Sequence, residues 1–180
     1  MHVLETASAA PASEAGTTLA KDIAEKAALL TNPASGLAND FLNHFNEIFL
    51  LIENLPVLLP EMVDELMQWQ PITYLEYFER SNLPGRSQAL ADYERIDPAF
   101  RTSFEALIDR LNTLALQIIA GIGRLRNDDG GLAAEDVAEF CADAALEFRK
   151  ALDLASSTVN KGKSGEGESA QTLADRLLTQ

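Results

Sequence analysis

Phe104, Leu111, Ile118 and Leu125 stand seven residues apart, Leu107, Leu114 and Gly121 fill the row between them, and Ile108 and Ile122 lie on its edge. Spacing of this kind, held for about three heptads, draws one stripe along an α-helix; a strand, whose side chains alternate faces every second residue, cannot use it. Asp97-Pro98 opens the helix. An aspartate at the cap accepts a first-turn backbone N–H, and proline suits the first helical position because its missing N–H has no partner there. A helix over 98–125 with such a stripe needs other helices to cover it, so the expected class is all-α.

Two further long helices are expected. Over 37–54, Ala38, Phe41, Leu42, Phe45, Ile48, Phe49 and Ile52 follow the i, i+3, i+4, i+7 pattern. The run Ile48 to Ile52 is apolar without interruption, which predicts burial nearly all round. Over 133–158, Val137, Cys141, Ala144, Phe148, Leu152 and Ala155 make a stripe of largely small residues, suited to close helix approach. The expectation is a bundle of three long helices, with short helices between 57 and 95 capping it.

Pro60 is placed at the start of one short helix running to Trp69, which Pro71 ends. Thr73-Tyr74-Leu75-Glu76 reads as a capping box opening a helix over 74–81, with Ile72 stapled onto Tyr77. Leu83-Pro84-Gly85 is a turn, and 86–95 a short helix or helical turn. Residues 1–16 read as a disordered leader, and 17–30 as a modest helix that stops before Asn32-Pro33. Residues 17–159 form a single domain in this reading. Residues 160–180 form a flexible linker and a short amphipathic tail bearing Leu173, Leu177 and Leu178. No internal repeat is visible.

Of the 180 residues, 47% are hydrophobic, enough for one core without disulfide or metal staples. The single cysteine, Cys141, allows no intrachain disulfide and fits a reducing compartment. Met1 to Glu5 carry neither a basic nor an apolar signal region, so a cytoplasmic location is expected. The longest apolar stretch, Ile48 to Val63, holds Glu53, Asn54, Pro56, Pro60 and Glu61, so no membrane insertion is expected. A net charge of −14 opposes phosphate backbones, so no nucleic-acid partner is expected either. The charge is uneven: residues 36–79 carry eight acidic groups and no Lys or Arg, whereas 86–126 carry six arginines and no lysine. An alanine-rich, lysine-poor style points to a bacterial source.

His44 is the one histidine inside the expected fold, and i, i+4, i+7 spacing puts Asp40, His44 and Glu47 on one helix face. The plain expectation is an imidazole at the edge of the core, packed on Phe41 and Ile48 and held by Asp40 or Glu47. As a phosphoacceptor His44 lacks the following lysine and small residue of phosphotransfer domains, where Phe45, Asn46 and Glu47 stand instead. A bundle metal site needs Glu-x-x-His pairs, and none occurs. Cys141 reads as a small core hydrophobe. No catalytic, cofactor-binding or metal-binding residue is assigned.

Met67 to Phe78 is the densest aromatic segment. Stiff, amphipathic aromatics favour interfaces, and they also cap cores. The partner-binding candidates are Glu61, Asp64, Glu65, Trp69, Tyr74, Tyr77 and Phe78. The leading expectation is a non-enzymatic adaptor, regulator or assembly factor with an acidic, aromatic surface for a basic protein partner. The alternatives are a phosphotransfer module using His44 and a small-ligand sensor with an intra-bundle pocket gated near Gly121 and Gly123. The 104–125 seam can close on the chain's own helices or on a second copy.

Overall fold

The computed structural model describes residues 30–162. The protein is all-α: among the described residues there are six α-helices, two 3-10 turns (Asn39–Leu42 and Leu55–Val57) and no strand. The helices are α1 (Asn43–Asn54), α2 (Val63–Gln68), α3 (Tyr74–Arg80), α4 (Arg86–Arg95), α5 (Pro98–Arg124) and α6 (Ala134–Lys161). The expected leader, residues 17–29 of the expected helix over 17–30 and the tail helix over 169–179 lie outside the described residues; Leu30 stands in a turn.

α5 starts where the sequence places it. The Asp97 side chain accepts the Phe100 N–H at 3.0 Å, and Pro98 takes the first position. Its stripe is buried through Phe104, Leu107, Leu111, Leu114, Ile118 and Ile122. By length and composition alone α5 could cross a membrane; here its apolar side packs on α6, each buried Leu or Ile contributing about 1.5–3 kcal/mol. α6 carries Glu135 and Asp136 in its first turn, where the helix dipole favours negative charge. It runs on to Lys161, past the expected end at 158, so Asn160 and Lys161 are helix rather than linker.

α1 begins later than its apolar pattern predicts. Ala38 is extended, with ψ 132°, and Asn39–Leu42 form a 3-10 turn. Neighbours have claimed the backbone there. The Ala38 N–H donates to the Tyr74 hydroxyl at 3.0 Å, the Leu37 N–H to Ser35 Oγ at 3.1 Å, and the Leu37 carbonyl accepts from Asn32 N at 2.7 Å. α2 also starts late, at Val63: Pro60 lies in a turn closed by Val63 N–H to the Pro60 carbonyl at 3.2 Å, not at the first helical position. α3 has its capping box, with both reciprocal Thr73–Glu76 bonds formed.

An aromatic cluster ties these pieces together. The Phe41 ring lies 5.2 Å from Tyr74, 5.6 Å from both Phe45 and Tyr77, and 6.2 Å from Phe104, all edge-on. Such edge-to-face pairs add about 0.5–1.5 kcal/mol beyond their buried area. Tyr74 also stacks on Tyr93 at 4.5 Å. α6 lies against α1 as well, where Phe49 and Phe148 stack at 6.4 Å. Arg149 clasps the pair from outside, its guanidinium 4.5 Å from the Phe49 ring and 3.0 Å from a Glu53 oxygen.

The two ends of the described chain meet. Asn32 and Asn39 both donate to the Asn160 side chain, at 3.3 and 3.0 Å, and the Ser35 hydroxyl donates to the Val159 carbonyl. Gly162, with φ +56°, passes so close to the Ala34 carbonyl that a Cβ there would collide with it.

Candidate docking groove

The fold divides the sequence-derived partner candidates. Tyr74 is 3% exposed and Phe78 0%: both belong to the core and present nothing to a partner. Their period matched the buried face of α3, and the burial pushes the Tyr74 phenol up to about 12. Tyr77 and Trp69 are half-buried, and Glu61, Asp64 and Glu65 are exposed. The acidic part of the expected surface is therefore accessible, and its aromatic part reduces to the edges of Trp69 and Tyr77.

His44 is held neither by Asp40 nor by Glu47. Its Nε2–H donates to the Gln70 carbonyl at 2.9 Å, and its ring stacks on Trp69 at 4.8 Å and 22°. A carbonyl can only accept, so the Nε2 atom carries the proton. Burial pulls the imidazole below its ordinary range, against the opposing pulls of the Gln70 bond and the Glu47 charge. The phosphoacceptor alternative would have to use Nδ1, because Nε2 is committed. What His44 does visibly is fix Trp69 and the strap after α2.

Cys141 is buried, and desolvation pushes its thiol up to about 11, well away from thiolate chemistry at neutral pH. Among the described residues, no three His, Cys, Asp or Glu side chains group as a metal site.

α1 shows a second apolar face. The expectation that Ile48 to Ile52 would be buried nearly all round fails in the middle: Ile48, Phe49 and Ile52 are buried, Leu51 is half-buried and Leu50 is 55% exposed. The core needs one stripe of a helix this short, and five consecutive apolar residues exceed it. The surplus is not scattered. Leu50 and Leu51 meet Leu58 (38% exposed) and Trp69 in a groove of about 530 Å³ between α1 and α2, with Glu47 and Glu65 at its rim. Val57, just before Leu58, is 81% exposed. The sequence reading named Glu65 and Trp69 but missed the leucines; the available signal was that run of five.

A second open groove, of about 650 Å³, lies between α5 and α6. Leu114, Ile118 and Phe140 line it, with Asp136, Glu139 and Asp143 along one wall. Gly121, one of the expected gate positions for an intra-bundle pocket, is filled over by the Phe140 ring. No known protein family, curated protein or solved structure matches the chain.

Proposed function

We propose that this chain is a non-enzymatic protein-interaction module, an adaptor, regulator or assembly factor of the cytoplasm. In this reading α1, α5 and α6 form a bundle that serves as scaffold, and the α1–α2 side carries the working surface. The supporting observation is the surplus apolar face of α1, which the described residues leave uncovered inside an acidic rim. Exposed apolar side chains gathered in one groove, rather than scattered singly, mark contact surfaces. Residues 36–79 hold eight carboxylates and no cationic side chain, so a basic partner is the complement.

The test is affinity capture by the tagged full chain from its source, parent against Leu50→Asp and against Asp64→Lys/Glu65→Lys. All three positions are exposed, so melting temperatures should agree. A stoichiometric partner retained by the parent and lost by Leu50→Asp is the expected result. A partner held equally by all three proteins would reject this surface.

A further inference from the structure

We infer that the α1–α2 groove receives a basic amphipathic helix, docked by its apolar face, with lysine or arginine along its flanks toward Glu47 and Glu65. The inference rests on the docking reading above and specifies the occupant.

The groove wall on α1 is made by positions i, i+3, i+4 and i+7: Glu47, Leu50, Leu51 and Asn54. Seven residues of helix span about 10 Å, or two turns. A helix laid beside that wall brings its own i, i+3, i+4 and i+7 side chains over the leucines at matching spacing. The far wall is α2 with Trp69, so the cleft lies between helices, the geometry that takes a helix in a groove. β-strand addition has no template, since the described residues include no strand edge.

Charge selects among helices. Glu47 and Glu65 flank the apolar floor, and neither has an ion-pair partner among the described residues. A second copy of this chain fits poorly. A two-fold contact would bring each acidic rim against itself in a protein of net charge −14.

The experiment uses the full-length protein and a fluorescein-labelled peptide of about 14 residues, roughly four helical turns. Leucines stand at the i, i+3, i+4 and i+7 positions, with lysines on the flanks. A shuffled peptide of the same composition and one with a central proline serve as controls. Binding is read by anisotropy, and helix formation by circular dichroism of the unlabelled peptide.

The parent should bind the amphipathic peptide at least tenfold more tightly than either control, with a gain of helical signal. Leu50→Asp and Glu47→Lys/Glu65→Lys should each weaken binding tenfold or more. Glu139→Lys/Asp143→Lys, on the other groove, should leave it within twofold. Equal binding of all three peptides would overturn the inference, leaving only bulk charge attraction. So would loss confined to the Glu139/Asp143 variant, or a dimer in light scattering that Leu50→Asp dissolves. If no peptide binds but the captured partner still depends on Leu50, the helix assignment fails and the interaction module stands. If both fail, the module reading falls with it.

Discussion

Gly121 sits in mid-helix, where glycine is roughly 0.5–1 kcal/mol less stable than alanine. On that ground alone, Gly121→Ala should stabilise the protein. The neighbouring helix reverses the sign. A Cβ built on Gly121 falls onto Cζ of Phe140, 2.9 Å from Cε2 and 3.1 Å from Cε1. Overpacking of this kind destabilises by about 1–3 kcal/mol. Phe140 is half-buried and its ring can swing toward solvent, which keeps the penalty to about 1.5–2 kcal/mol; set against alanine's gain of about 0.5–1 kcal/mol, the net loss is on the order of 1 kcal/mol. In a Phe140→Ala background the same methyl meets no ring, and Gly121→Ala should then stabilise by about 0.5–1 kcal/mol. Urea unfolding of the four proteins closes the cycle, with an expected coupling of about 1 kcal/mol or more. Additivity within about 0.3–0.5 kcal/mol, with Gly121→Ala stabilising both backgrounds alike, would refute the argument. The approach of α5 to α6 would then not depend on that glycine.

Tyr74→Phe keeps the ring of the aromatic hub but strands the Ala38 N–H, which is wholly buried, and should destabilise by about 1–3 kcal/mol in urea unfolding. A loss under about 0.5 kcal/mol would mean that the hydroxyl is not its working acceptor. His44 gives a pH-dependent expectation. Its native pKa is lowered, so the unfolded chain takes the proton more readily. The stability carried by the neutral ring is therefore complete above about pH 6.5 and lost as the pH falls through the lower native value. The advantage of the parent over His44→Gln should shrink on acidification from neutral pH, read as the difference in melting temperature. An advantage that grows would reverse the inferred shift.

Much of the fold was legible because long periodic segments have few alternatives. The α5 stripe, its Asp97-Pro98 start and the Thr73–Glu76 box all follow from local rules that act within one turn. The start of α1 was not legible. Ala38 has good helical periodicity, yet its N–H is captured by Tyr74, a residue 36 positions away in the chain. His44 shows the same limit: spacing pointed to Asp40 and Glu47 as its partners, and the actual one is the Gln70 carbonyl, brought up by the turn after α2. Within the candidate groove, the acidic rim could be read from composition. The leucine floor could not, because an apolar run does not tell which of its members the core will leave out. Tyr74 and Phe78 fall on the core-capping side of the two readings open to that segment, since aromatic density looks the same at an interface and in a core.

The corner where Asn32, Ser35 and Asn39 bind the end of α6 has a topological consequence. Ala34 and Gly162 touch there, while the Asn127–Gly131 turn is exposed. A circular permutant of the described residues 30–162, joined across that corner and opened in the turn, would keep every helix pair among them and reverse the order in which α5 and α6 enter the chain. A permutant that melts with the parent would mean that the helices recognise one another by their stripes, the connections only holding them near enough to meet.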